Sequence, residues 1–255
     1  LLRFYNALSP HVGLPNVNFD VLSAIAGSRS LSVNPGYLTD AEVHLIADIL
    51  KKDIEDLNQQ HACAEEIYEA KARLLYFHII TATTFRPREA WTIGIGDISL
   101  KNECTQITIR RWGFQQIKTN RSRRRDSLKG PMAKQARILI EEWLNMLTLK
   151  GVNMFNTNQP FFGKMNDSKT LIERDHISNR INELVRWATN DPSAVAYWTR
   201  KSDIHRSLTV FQKNNQDSLW SARDILSRAG QASIKTTLSS YMHDPILVFY
   251  KWFHS

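Results

Sequence analysis

The C-terminal stretch constrains this chain most. From Ser202 it reads SDIHRSL and, after a spacer, SARDILSRAGQASIKTTLSSYMH. Ser221 followed by Asp224 is a helix-start signature, and Gly230 is a helix stop, because glycine enters the left-handed conformation that closes a helix without a steric cost. A second, short polar helix over Ser233–Ser240 then carries Tyr241, eleven residues beyond Gly230. After Pro245 comes an apolar run of Ile246, Leu247, Val248, Phe249, Tyr250, Trp252 and Phe253. So apolar a tail is expected to be covered, by the chain's own core or by a second subunit.

The body upstream reads as mostly α-helical with one small antiparallel β-sheet. Thr39-Asp40-Ala41-Glu42 is a capping box ahead of Val43, Ile46, Ile49 and Leu50. A longer helix is predicted from about Cys63 to Thr83, burying Ile67, Leu74, Leu75, Phe77 and Ile79. It should stop near Arg86-Pro87, since the residue before a proline is driven out of helical geometry. From Asp97 the apolar period becomes two: Ile98 and Leu100, Ile107 and Ile109, Phe114 and Ile117 predict short antiparallel strands. Pro131 should open an amphipathic helix carrying Ala136, Leu139, Ile140, Trp143, Leu144 and Leu147, which Gly151 ends. Residues 152–169 read as a loop. A further helix, Ile177 to Ala188, carries Ile181, Leu184, Val185 and Trp187.

Residues 1–35, punctuated by Pro10, Gly13, Pro15, Gly27 and Pro35, are expected to be a linker or the tail of a missing N-terminal domain, with the organised domain over 36–255. The opening Leu1-Leu2-Arg3-Phe4 has neither an initiator Met nor a signal-peptide pattern, as expected of a piece of a longer protein. No apolar run approaches the length of a membrane span. Cys63 and Cys104 have no metal-ligand spacing, so neither a zinc nor a disulfide role is expected. The 33 basic residues against 25 acidic ones, a net charge of +8, favour a polyanionic partner.

Two further stretches combine with the C-terminal one. Thr84-Phe85-Arg86-Pro87-Arg88-Glu89 is followed, eight residues after Glu89, by Asp97. Gln116-Ile117-Lys118-Thr119-Asn120 precedes the run Arg121, Arg123, Arg124 and Arg125. Together these segments resemble the catalytic domain of the tyrosine recombinase (phage integrase) family. That family shows an L-T-x-x-E opening, T-G-x-R-x-x-E with an Asp beyond it, K-T-x-x-x-R-R, H-x-L-R, then L-G-H-x-S-I-x-T-T and a nucleophilic Tyr. Gly230, Ser233, Ile234, Thr236, Thr237 and Tyr241 fall at the family's spacing, and the resemblance covers about residues 36–243. The chain departs at Gln231, where the family has His or Trp, and at the H-x-L-R motif.

The chemistry explains the residue types. A phosphodiester attacked by an oxygen passes through a pentavalent state with added negative charge. A guanidinium can meet that charge with two parallel hydrogen bonds and does not lose its proton. Arg86 fits this need; its plainer alternative is a surface arginine paired with Glu89. The resemblance makes Tyr241 the nucleophile, forming a phosphotyrosine link that conserves the bond for religation without ATP or metal. It makes Lys118 the acid that protonates the departing 5′ oxygen, a role helped by neighbouring cations that lower its pKa. Lys118 as a simple phosphate contact is an equal alternative, and Arg121, Arg123, Arg124 and Arg125 are expected to grip backbone phosphates. The H-x-L-R motif lays on the chain two ways, with either His205 or Arg206 at the second arginine position; register favours His205 and chemistry favours Arg206. An amide at Gln231 still donates a hydrogen bond but carries no charge, at a cost of about 2.7–4 kcal/mol by analogy with oxyanion donors.

The resemblance implies a site-specific DNA recombinase (integrase) acting through a 3′-phosphotyrosine intermediate on double-stranded DNA. It implies a homo-oligomer assembled on DNA, without cofactor, in the cytoplasm and associated with the nucleoid. The alternative is a catalytically impaired, recombinase-fold DNA-binding subunit of a mobile element.

Overall fold

A computed structural model describes residues 36–101, 104–115, 123–213 and 227–228. They belong to a unit that begins at Gly36. Helix α1 (Asp40–Gln59) starts as its sequence requires. The Thr39 hydroxyl accepts the Glu42 N–H at 3.3 Å, and the Glu42 carboxylate accepts the Thr39 N–H at 2.6 Å. Helix α2 (Ala64–Ala82) lies between Cys63 and Thr83 as cap residues. It is the hub of the fold: α1, α4 (Ala133–Leu149), α5 (Arg174–Thr189) and α6 (Tyr197–Lys213) all pack against it. That explains why its C-terminal half, Leu74 to Ala82, is buried on every face. Thr83 turns extended and Pro87 opens a one-turn helix, α3 (Pro87–Trp91).

A single turn over Ile95–Asp97 leads into strands β1 (Ile98–Lys101), β2 (Cys104–Ile109) and β3 (Arg124–Ser127), antiparallel in that order. The third strand corrects the sequence expectation. Trp112 and Gln115 make only an isolated bridge, Ile117 lies outside the described residues, and the strand that pairs with β2 is the basic segment Arg-Arg-Asp-Ser. Ile107 stands opposite Asp126 and Ile109 opposite Arg124. The strand's inward positions are therefore charged, which hid it from a search for apolar alternation.

The core is continuous. Tyr68, Trp143, Phe161 and Phe162 form an aromatic cluster between α2, α4 and the 152–173 connection, and the Trp143 indole donates to the Phe161 carbonyl at 2.8 Å. Backbone bonds from Ile95 to Gln159 and from Phe161 to Ile93 pin that connection beside the sheet. Gly151 (φ +74°) closes α4, and Asn190 (φ +50°) closes α5. Trp187, expected on the buried face of α5, is 62% exposed, whereas Ile181, Leu184 and Val185 face inward. Among the described residues no helix is long and apolar enough to cross a membrane.

Candidate active site

The turn between α2 and α3 brings together Arg86, Glu89 and, from β3, Arg124. Arg86 precedes Pro87 in extended geometry, at the N-cap of α3. Its N–H donates to Glu89 Oε2 at 2.7 Å, and its guanidinium donates to Glu89 Oε1 at 2.8 Å. Arg124, from β3, grips the same carboxylate at 2.7 and 3.2 Å with two parallel bonds and lies over the Phe85 ring. One carboxylate thus holds two guanidiniums, but unequally. The Arg124 side chain is 2% exposed, whereas the Arg86 side chain is 38% exposed. Burial pushes the Glu89 carboxyl up; the hydrogen bonds and charges of Arg124 and Arg86 outweigh it and hold Glu89 below its usual range.

Strand β3 alternates. Arg123 and Arg125 are exposed, while Arg124 and Asp126 are buried. Arg124 was expected with its neighbours on a phosphate-gripping surface; it is instead turned inward, because the period of two puts it on the same face as Asp126 and opposite Ile109. Asp97 likewise lies inside: the Gly94 N–H donates to it at 2.9 Å and Arg110 pairs with it. Burial raises its carboxyl, against the pull of those donors.

Thr84 ties the turn to the rest of the site. Its N–H donates to Asp126 Oδ2 at 2.9 Å, its hydroxyl lies 2.9 Å from the same oxygen, and its hydroxyl also contacts the Arg228 carbonyl. The guanidinium of Arg200, a fully buried residue of α6, donates to the Thr84 carbonyl. Arg228 reaches Asp126 Oδ1 at 2.7 Å, Asp203 Oδ2 at 3.1 Å and the Ser207 hydroxyl at 3.3 Å. Burial, reinforced by the nearby Asp126, raises the Asp203 carboxyl to about 6 against the opposing charges of Arg228, Arg206 and Lys129.

The two candidates for the second arginine position diverge. His205 stacks on Tyr37 with ring centroids 4.9 Å apart. Arg206 donates to Asp40 at 2.6 Å, lies 3.5 Å from Asp203, and packs over Gly130, where an added Cβ would sit 3.1 Å from its Nη1. Lys118, Arg121, Gln231 and Tyr241 lie outside the described residues, as do the expected helix start at Ser221 and the short helix before Tyr241.

Sequence reading missed Arg200, Asp126 and Arg228. Each is a charged residue whose partner is remote in the chain, and neither apolar period nor motif spacing marks such a residue. Among the described residues no group of three or more His, Cys, Asp or Glu could hold a metal ion.

No family model matches the chain, and no curated protein matches its sequence. Solved structures share its fold. The site-specific recombinase XerH, in a post-cleavage complex with a palindromic difH substrate, superposes with a TM-score of 0.59 at 19% identity, covering 91% of this chain and 56% of that one. XerH in a pre-cleavage complex with difH gives 0.56 at 20% identity, over 83% of this chain and 52% of that one. The XerA recombinase gives 0.53 at 15% identity, over 86% of this chain and 64% of that one. The chain therefore spans little more than half the length of the XerH structures. The likeness is one of fold: this chain shares the mostly α-helical architecture with a small antiparallel sheet of these recombinase structures.

Proposed function

We propose that this chain breaks and rejoins DNA at specific sites through a 3′-phosphotyrosine link. The observation that carries the reading is the Arg86 turn. A half-exposed guanidinium is fixed at a helix start by Glu89, and the turn that bears it is bonded through Thr84 to β3, α6 and Arg228. Such a fixed cation suits the extra charge of a pentavalent phosphorus, because its donors need no rearrangement as the charge develops. In this reading Tyr241 attacks phosphorus, the bond to the 5′ oxygen breaks, and Lys118 protonates that oxygen as it leaves. Arg86 clamps a non-bridging oxygen with help from Arg206 or His205, and Gln231 is a weakened donor. Arg121, Arg123 and Arg125 grip the DNA backbone, two copies or more assemble on double-stranded DNA, and residues 1–35 are a linker or the tail of an N-terminal DNA-binding domain. A chain of this kind works where DNA is, in the cytoplasm at the nucleoid.

A second reading, a recombinase-fold DNA-binding subunit of a mobile element without the chemistry, draws on a specific observation. Arg206 pairs with Asp40 and Asp203, and His205, an imidazole stacked on Tyr37, cannot supply the two-pronged permanent cation of a second arginine. Incubation with a nicked suicide DNA substrate separates the two. A covalent adduct on a denaturing gel that disappears in Tyr241→Phe supports the enzyme. Salt-sensitive DNA binding with no adduct supports the subunit.

A further inference from the structure

Arg228 lies outside the Arg86–Glu89–Arg124 cluster and is buried. Its side chain is 7% exposed and bridges carboxylates that are 0% and 3% exposed, Asp126 of β3 and Asp203 of α6. It reaches Ser207 on the same helix, while its own carbonyl meets the Thr84 hydroxyl. Both partners lead directly to the site. The other oxygen of Asp126 accepts the Thr84 N–H two residues before Arg86, and Asp203 precedes His205 and faces Arg206. A lysine could not imitate this arrangement, because only a planar fork of five donors spans two carboxylates and a hydroxyl at once. A buried ion bridge of this kind adds little net stability over apolar packing, which makes geometry its best-supported role.

We propose that Arg228 is a positioning residue: its guanidinium and carbonyl hold the chain at 228, three residues before Gln231, against both the phosphate-clamping turn and α6. It touches no reacting atom and acts through Thr84, Asp126 and Asp203. The assignment rests on the proposed strand breakage only for its catalytic consequence; the joint itself rests on the contacts.

The test compares the parent chain with Arg228→Lys, with Arg228→Leu, and with an uncharged triple variant, Arg228→Leu, Asp126→Asn, Asp203→Asn. Three readouts are taken on each: adduct formation at saturating suicide DNA, affinity for that DNA, and limited proteolysis with a protease cutting at aromatic residues. In Arg228→Lys, DNA affinity should stay within about twofold while adduct formation falls on the order of 100-fold, the scale of a misplacement of about 1 Å. Cleavage after residue 228 should accelerate while cleavage within residues 36–213 does not. A parental rate with a parental cleavage pattern overturns the proposal, as does a rate loss that merely tracks the loss of folded protein. Should Arg228→Leu fail to fold, the lysine and triple variants carry the test. Should the parent itself form no adduct, the proposed function falls, and proteolysis still judges the joint: selective exposure of the C-terminal segment in Arg228→Lys upholds it, and an unchanged pattern sinks it.

Discussion

At one end of the Thr84–Glu89 turn a carboxylate lies between two guanidiniums; at the other a guanidinium lies between two carboxylates. Glu89 binds Arg124 on its inner side and Arg86 on its outer side, and the surplus positive charge faces solvent. Arg228 binds Asp126 and Asp203, and all three side chains are buried. The first cluster presents a cation to whatever approaches, with its geometry fixed in advance. The second presents nothing and joins segments. Similar chemistry serves recognition in one place and assembly in the other, and what separates them is which sign is in excess and whether it reaches water.

Mutations should break this comparison in opposite ways. Arg228→Leu leaves two buried carboxylates without their shared partner, and chemical unfolding should show a stability loss of roughly 3–5 kcal/mol. Arg86→Ala removes a half-exposed group whose partner Glu89 keeps Arg124, so unfolding should change little. Adduct formation in the same variant should drop about 100- to 1,000-fold in single-turnover cleavage, if the reaction runs as proposed. Equal losses of stability in the two variants would erase the distinction.

The pH dependence sharpens the contrast, because the two clusters carry opposite signs. Asp203 has a folded value of about 6 against an ordinary 3.8, so the folded state binds its proton more readily than the unfolded state. Its contribution therefore favours folding at low pH and is lost as pH rises from about 4 to 6. Glu89 lies below its ordinary 4.5, so its contribution is present above that value and disappears as pH falls through its lower folded value. Denaturant midpoints measured across pH 3 to 7 should lose their upper slope in Asp203→Asn and their lower slope in Glu89→Gln.

A smaller effect separates neighbours within one strand. Arg123→Ala or Arg125→Ala should each reduce the salt slope of DNA binding by about 1, measured as affinity against ionic strength. Arg124→Ala should leave the slope alone and lower the unfolding midpoint, since its charge is spent on Glu89. Smallest of all, and outside both clusters, Thr39→Ala should cost about 1 kcal/mol in thermal unfolding through loss of the α1 cap.

Much of the scaffold was legible because its signals are local. The Thr39–Glu42 box, the stop before Pro87 and the apolar stripes of α2, α4 and α5 all act within a few turns of chain. The spacing of Arg86, Glu89 and Asp97 was legible for the same reason. What sequence reading missed depends on distance. Nothing near Asp126 announces that Thr84, forty-two residues earlier, and Arg228, far later, will close around it. Helix α6 was equally quiet: its buried residues include Arg200, Ser202 and Asp203 as well as Ile204, so no apolar stripe marks it. Strand β3 looked like a solvated basic turn because charge, not hydrocarbon, fills its inner positions.

The alternation of β3 has a consequence for how this sheet can vary. Sliding that strand by one residue along β2 would bring Arg123, Arg125 and Ser127 inward and turn Asp126 out to the surface. Glu89 would lose Arg124, Arg228 would lose Asp126, and a negative charge would appear where the positive ones now stand. Insertions and deletions in the hairpin can therefore be absorbed only where they preserve the parity of Arg124 and Asp126, so that a pattern of ion pairs does the indexing that hydrophobic side chains perform in most sheets.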